Sequence, residues 1–254
     1  MIKTKERELK QIYAMVVIVF LVFLLIPIVL LLGKSFEGGG GVSLEHYADV
    51  AGGKGFAAAF GRSIFVSCVS AVLTTALAFV LAYTIHYTNV PGGLKKFIRL
   101  AAVVPMLLPT ITYGFAIIYS FGRQGFITGM IGHQMFEIYG FYGLLLGYVI
   151  YTLPISFMLI LNTMSFIDKK FMIVSRIMGD SPLKTFLGTV IRPLLGTLAA
   201  SFVQCFFLCF TDFGIPASVG GQYDVVATVL YNEMLGSVPV SYTHLRAHET
   251  LANL

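Results

Sequence analysis

Very few residues of this chain have the type and spacing that catalysis or metal binding would need. Cys205 and Cys209 lie four residues apart on one predicted helix face, and His244 and His248 have the same spacing near the C-terminus. Two ligands do not complete a zinc site, which needs three or four from the protein. No nucleophile–base arrangement accompanies them. The cysteines are interpreted as small buried hydrophobic residues, and a membrane-embedded enzyme is disfavoured.

One tripeptide, Gly33-Lys34-Ser35, matches the end of a phosphate-binding loop. The first glycine of that motif is replaced by Ile28, and the tripeptide follows an apolar helix instead of a strand. We therefore predict no nucleotide site and no cofactor on this chain.

The composition indicates a polytopic membrane protein. Of 254 residues, 57% are hydrophobic and 11% are charged, and the mean hydropathy is +0.86. A soluble domain has about 25% charged residues, so this chain could not cover a water-exposed surface. A soluble enzyme, a disordered protein and a disulfide-rich secreted domain are excluded.

Five uncharged stretches are long enough to cross a bilayer, which takes about 20 apolar residues as a helix. They are residues 11–33, 63–85, 100–122, 138–167 and 193–211. The predicted fold class is therefore all-α, with five transmembrane helices in this chain.

The basic residues predict the orientation of these spans. Lysine and arginine are concentrated in segments 1–10, 86–99 and 166–192, while the alternate loops hold fewer, and 193–240 holds none. Because positive residues favour the cytoplasmic side, the N-terminus is predicted to be cytoplasmic and segment 213–240 external. The same distribution argues against a nucleic-acid partner.

Four prolines lie within the predicted spans, namely Pro27, Pro105, Pro109 and Pro154. Each is expected to kink or unwind its helix. Simple kinking would explain isolated prolines, whereas the close pair at 105 and 109 favours a moving or pathway-lining helix. Gly143 and Gly147 have the spacing that permits close helix packing. No charged residue lies mid-span, which argues against a proton-driven carrier.

The most informative segment is the loop between the fourth and fifth spans. Three of its apolar residues share one face at helical spacing: Phe171, Val174 and Met178. Gly179 is placed to end this helix, and Ser181 can cap a second helix that has Pro182 at its first position. Two short helices joined by a glycine turn would form either a compact surface that docks a partner protein or an ordinary connection between spans.

This loop resembles the cytoplasmic coupling loop of permease subunits of binding-protein-dependent ABC importers, the MetI-like permeases. Gly179 matches the family glycine and Pro193 the terminal proline, one residue late, while Ile173 and Val174 stand where the family has an acidic residue and an alanine. The resemblance implies an ATPase-contacting set: Ser175, Arg176, Gly179, Asp180, Ser181, Pro182, Phe186 and Pro193.

Further similarity extends over residues 1–240. Segments 62–64, 81–83, 108–110 and 122–125 resemble the second and third spans of these permeases, and 212–216 with 220–221 resembles permeases for ferric iron and for 2-aminoethylphosphonate. The resemblance implies a permease fold of at least six spans. It also gives candidate pathway or gate residues: Pro105, Pro109, Asp212, Phe213, Gly214 and Pro216.

The resemblance implies a translocation subunit in the bacterial inner membrane. Its expected partners are an ATPase subunit, which would bind the ATP and Mg²⁺, an extracytoplasmic solute-binding protein, a second permease half and membrane lipid. The expected substrate is a phosphonate or ferric iron. The alternative is an ion- or proton-coupled secondary carrier, or a channel, that has no ATPase partner.

The last fourteen residues, 241–254, differ abruptly from the preceding sequence. They resemble translated sequencing-adaptor DNA. We therefore predict that residues 1–240 form a C-terminally truncated permease domain and that the tail is not native.

Overall fold

The computed structural model describes residues 2–38, 41–53 and 55–236, and the expected all-α class is confirmed. The predicted artefact tail, with His244 and His248, lies outside the described residues. The helices are α1 Ile2–Phe20, α2 Ile26–Ser35, α3 Glu45–Gly52, α4 Phe56–Tyr87, α5 Gly92–Val103, α6 Thr110–Phe121, α7 Phe126–Ile131, α8 Phe141–Ser165, α9 Lys170–Ile177, α10 Pro182–Phe186, α11 Arg192–Thr211, α12 Gly214–Val219 and α13 Val226–Gly236. Two short strands, β1 Glu37–Gly38 and β2 Gly41–Val42, pair antiparallel.

Residues up to Ala57 form a separate compact unit. Its helices α1 and α2 are joined by a π-helical turn, Leu21–Leu25, directly before Pro27. A π turn changes the hydrogen-bond register, so the helix continues past a proline that has no N–H to donate. The helical segment Leu9–Ser35 is long and apolar enough to cross a membrane, as the sequence predicts.

In the second unit, α4 and α8 run in the same direction. The ring of Phe65, in the first third of α4, lies 5.6 Å from the ring of Phe141, the first residue of α8. At the other end, the ammonium of Lys169, just beyond α8, lies 6.0 Å from the centre of the Tyr87 ring that ends α4. We call this the loop end of the bundle. Because both helices finish there, the chain between them must cross the bundle once in the reverse direction.

That crossing is made by a broken span. The segments Gly92–Leu107 and Thr110–Ile131 are bent by 116° relative to each other. The Tyr113 hydroxyl donates hydrogen bonds to the carbonyls of Pro105 and Leu108, the latter at 3.3 Å. It thereby satisfies backbone acceptors at the break. The third predicted span is therefore present but not straight, and the described residues contain five candidate spans when the bent pair counts as one.

Pro154 does not unwind α8, which runs as one helix from Phe141 to Ser165. One expectation about helix continuity was wrong: the second loop helix is not a separate short element, since a continuous helical segment runs from Pro182 to Thr211. A second π turn, Leu187–Ile191, precedes Pro193 and accommodates it as the first one does Pro27.

The described part of segment 213–240, which is predicted to lie on the external side, packs against the bundle. Helix α12 is buried in the bundle against α6 and α8, and α13 packs against α11 and α12. Glycines permit this insertion: a Cβ at Gly147 would lie 2.7 Å from Ile215 Cγ2, and one at Gly114 would lie 1.6 Å from Ser218 Oγ. The predicted close packing at Gly147 is therefore confirmed.

Hydroxyl groups connect the three long helices in the interior. Thr74 of α4 and Thr152 of α8 lie 3.0 Å apart through their hydroxyls, and Ser156 of α8 hydrogen-bonds Ser201 of α11. Such pairs contribute about 0.6 kcal/mol each between membrane helices. They hold α4, α8 and α11 together between two apolar clusters, one at the loop end and one at the opposite end.

Candidate functional site

The predicted glycine turn between the fourth and fifth spans is present. Helix α9 ends at Ile177, and Gly179 has φ +84°, the left-handed conformation that glycine adopts without strain. The Ser181 hydroxyl accepts a hydrogen bond from the Lys184 backbone N–H, and Pro182 occupies the first turn of α10. The cap and stop residues were therefore assigned correctly from the sequence.

Ser175 fastens the two loop helices to each other. Its hydroxyl donates to an Asp180 carboxylate oxygen at 2.8 Å and lies 3.1 Å from the Thr185 hydroxyl. Asp180 also pairs with Lys184 at 2.5 Å. The hydrogen bonds from Lys184 and Ser175 hold the pKa of Asp180 below its usual range, so the carboxylate stays charged at neutral pH. The turn is therefore a fixed structure.

The loop exposes apolar side chains that would normally be covered. Ile177 is 80% exposed, Met178 78% and Leu183 67%. Phe171 and Val174, predicted to share a face with Met178, are exposed as well. We call these five residues the α9–α10 surface. Contiguous exposed apolar groups of this kind mark protein or membrane contacts.

The α9–α10 surface is attached rigidly to the bundle. The Phe186 ring packs edge-on against the rings of Phe79 and Tyr83 of α4, with centroids 6.2 and 5.7 Å away. Met172 of α9 packs on the apolar cluster at the loop end. Because α10 continues through a π turn into α11, a force on the loop is transmitted directly to the fifth span.

The remaining loop candidates do not all lie in the turn. Arg176 is exposed and contributes its carbonyl, which accepts from the Gly179 N–H at 3.1 Å. Pro193 lies one helical segment away, at the start of α11.

Several of the candidate pathway residues lie together. A Cβ on Gly214 would lie 2.2 Å from Thr110 Oγ1, so the α11–α12 turn touches the start of α6 directly after Pro109. Asp212 is only 8% exposed. Its carboxylate accepts from the Ile215 N–H at 2.9 Å and hydrogen-bonds the Thr110 side chain. Asp212 therefore joins the turn to the broken span.

The other candidates occupy distinct positions. Pro105 lies in the one-turn 3₁₀ helix Val104–Leu107, before the break. Phe213 is partly exposed, with its ring centroid 4.4 Å from that of Tyr231. Pro216 is buried in α12 and borders a cavity of about 430 Å³ that also reaches Tyr231. The sequence did not single out Tyr113, which caps the broken span.

We expect Asp212→Ala to destabilise the protein by about 1–3 kcal/mol, because it leaves the buried Ile215 N–H without an acceptor. Asp212→Asn retains an oxygen in the same place and should cost less. Thermal unfolding of the purified chain in detergent measures both. Asp224→Ala, which removes an exposed carboxylate, is the control. Equal unfolding temperatures for Asp212→Ala and Asp224→Ala would contradict the assigned role.

Among the described residues, no group of three or more His, Cys, Asp or Glu side chains could hold a metal ion. Cys205 and Cys209 are buried as predicted, and Cys209 belongs to the apolar cluster opposite the loop end.

Comparisons with known sequences match this chain to permease proteins of transport systems. The chain is 26% identical over 229 residues to the ferric transport system permease protein FbpB of Actinobacillus pleuropneumoniae, a match that covers 87% of this chain and 33% of that protein. It is 26% identical over 182 residues to the probable sulfate transport system permease protein cysT of Helicosporidium sp. subsp. Simulium jonesii, covering 70% of this chain and 67% of that one. No family model matches the chain.

The fold is shared with a solved transporter. A bacterial alginate ABC transporter, in complex with an alginate pentasaccharide-bound periplasmic protein, superposes with a TM-score of 0.73 over 92% of this chain and 85% of that one, at 14% identity. The resemblance to ABC importer permeases is thus confirmed. The chain's sequence relatives are permeases of ABC importers, and its fold, which contains several candidate membrane spans, is the fold of such permeases. It spans about a third of the length of the ferric permease it matches.

Proposed function

We propose that this chain is the translocation subunit of an ABC importer, driven by a separate ATPase subunit that docks on the α9–α10 surface. The observation that carries the proposal is the combination of exposed apolar side chains with a rigid turn. Ile177, Met178 and Leu183 present an uncovered face, while Ser175 and Asp180 fix the turn behind it. A partner that binds this face would move α11 directly, because no flexible linker separates the turn from α11.

The transport step follows from the helices that the loop adjoins. Helix α11 ends at Thr211, and the side chain of the next residue, Asp212, hydrogen-bonds Thr110 at the start of α6. Displacement of α10 and α11 by the ATPase would therefore act on the broken span at Pro109. We propose that the solute path lies between this permease half and a second one, as the resemblance implies.

A solute-binding protein would deliver the substrate on the side opposite the loop end. The solved alginate transporter includes a periplasmic binding protein, which supports this partner by analogy of fold. For the substrate we propose ferric iron as the first candidate, because a relative with that name matches 87% of the chain. The sulfate permease shows that the class is wider. The predicted phosphonate substrate stays a prediction.

The test of this function is reconstitution of the permease with its ATPase and binding protein in liposomes. We expect uptake of the solute that requires ATP and persists when ion gradients are collapsed. The secondary-carrier alternative makes the reverse prediction: uptake without ATP that stops with the gradient. Sequence relatives and fold do not favour that alternative.

The proposed orientation gives a separate prediction. Single cysteines at Gly41 and His133 should react with a membrane-impermeant maleimide added to intact cells, while cysteines at Lys96 and Lys170 should not. The native cysteines must be replaced first. If the bent α5–α6 pair returned to its own side of the membrane, positions 96 and 133 would be labelled from the same side.

A further inference from the structure

Basic side chains from three parts of the bundle meet in one cavity at the loop end. The cavity has a volume of about 360 Å³ and lies where α4, α5 and the end of α8 come together. Its polar lining consists of Lys95, Lys96, Arg99, Lys169, His86 and Ser165. No acidic residue of the described part of the chain contributes to this lining. The cavity is therefore a concentrated patch of positive charge beside the membrane spans.

The charge is not compensated by the protein. Within the described ranges the ion pairs are Lys34–Glu37 and Lys184–Asp180, and neither borders this cavity. The carboxylate of Asp168, beside Lys169 in sequence, accepts instead from the Lys170 backbone N–H at 2.9 Å. Four cations that face one cavity without a carboxylate repel one another, which an anionic ligand would relieve.

Other polar contacts leave capacity for a ligand. The Lys95 ammonium donates to the Thr88 carbonyl at 2.7 Å, which uses one of its three N–H groups. The Nε2 atom of His86, which is one of the lining residues, has no hydrogen-bond partner among the described residues.

The basic cavity continues into an apolar groove. A second cavity, of about 750 Å³, shares Arg99, Leu161 and Ser165 with the first. It continues along α8 past Met158 to Ile155. Because α8 is a candidate membrane span, this groove leads from the charged end of the bundle towards the depth of the hydrocarbon.

We propose that the two cavities together bind one anionic phospholipid from the leaflet at the loop end. The phosphate would lie among Lys95, Lys96 and Arg99, and an acyl chain would lie in the groove beside Met158. Basic pockets between membrane helices are suited to anionic headgroups. A free phosphate would occupy only the basic cavity. An acidic protein surface would not reach into the apolar groove.

Native mass spectrometry of the full chain tests the proposal, with dioleoyl phosphatidylglycerol and dioleoyl phosphatidylcholine as probes. We expect one tightly retained phosphatidylglycerol and weaker phosphatidylcholine binding. The double variant Lys96→Gln/Arg99→Gln should weaken phosphatidylglycerol binding by about twenty-five-fold, because each cation removed should cost about fivefold in affinity. Lys170→Gln/Arg176→Gln removes the same charge from α9 at the same end and should leave the affinity within about twofold. Equal losses in both variants would overturn the site.

Further arms distinguish the ligand sources. Dihexanoyl phosphatidylglycerol should bind more weakly than the dioleoyl lipid if the groove holds an acyl chain. Equal affinity of the two lipids would overturn the lipid assignment in favour of a soluble phosphate. Complete displacement of the dioleoyl lipid by millimolar glycerol phosphate would do the same. Retention of the lipid on both monomers and dimers supports the proposal, while its loss on dimerisation would show that a second copy fills the groove. If Lys96→Gln/Arg99→Gln abolished co-purification of the ATPase without changing lipid affinity, the cavity would belong to that partner. None of these results depends on transport activity.

Discussion

Gly179→Arg is expected to lower uptake at least about tenfold while the protein still inserts in the membrane. The position has φ +84°, and a Cβ added there would have open space around it, with no atom within 4 Å. An arginine side chain would therefore extend outward beside Met178 instead of disrupting the interior. It would put a bulky cation on the α9–α10 surface, and a tenfold loss corresponds to only about 1.4 kcal/mol of docking energy.

Gly179→Asn is the matched control for this variant. Asparagine tolerates the left-handed conformation better than other residues and adds little bulk. It should keep most of the uptake and bind the ATPase. ATP-driven uptake and ATPase co-purification, both measured at equal membrane yield, separate the two variants. Normal transport by Gly179→Arg, with the ATPase recovered at full yield, would refute docking at this turn.

Gly114→Ala is expected to destabilise the bundle by about 1–3 kcal/mol, the usual cost of overpacking a close contact. Its Cβ would lie 1.6 Å from Ser218 Oγ and 2.4 Å from Ser218 Cβ, both in a short and rigid side chain. Helix α12 would have to move away from α6. Because α12 follows directly on Asp212, the junction between the fifth span and the broken span would loosen too.

A second substitution makes this prediction specific. Ser218→Gly removes both clashing atoms, so Gly114→Ala/Ser218→Gly should be more stable than Gly114→Ala alone, although two residues have been changed. Such non-additivity is the sign of direct contact. Gly129→Ala, where no atom lies within 4 Å of the new Cβ, should change the unfolding temperature little. If Gly114→Ala were as harmless as Gly129→Ala, the packing of α12 would differ from that described.

The sequence predicts those features of this fold that depend on local chemistry. The glycine turn at Gly179, the Ser181 cap and the break near Pro105 and Pro109 each follow from what one residue does to its own backbone. The five spans follow from stretches of about 20 apolar residues. The candidate coupling residues come from the resemblance to the permease coupling loop and stay a prediction.

The features that the sequence did not predict depend on contacts between distant residues. Helix α12 has six residues, too few for a periodicity signal, and its burial depends on glycines in two other helices. Continuity from α10 to α11 depends on a π turn, which no sequence pattern announced. Tyr113 was missed because its partners are the carbonyls of Pro105 and Leu108, freed only once the span has broken.

The central claim is that an ATPase subunit docks on the α9–α10 surface. The most direct measurement is site-specific photo-crosslinking in membranes, with a benzophenone amino acid at Met178 and, as a control, at Met130. Both positions are highly exposed, at 78% and 73%, and Met130 lies in α7, away from the loop. We predict covalent capture of the ATPase from position 178 and none from position 130. No capture at 178 in membranes that still transport the solute, or equal capture at both positions, would contradict it.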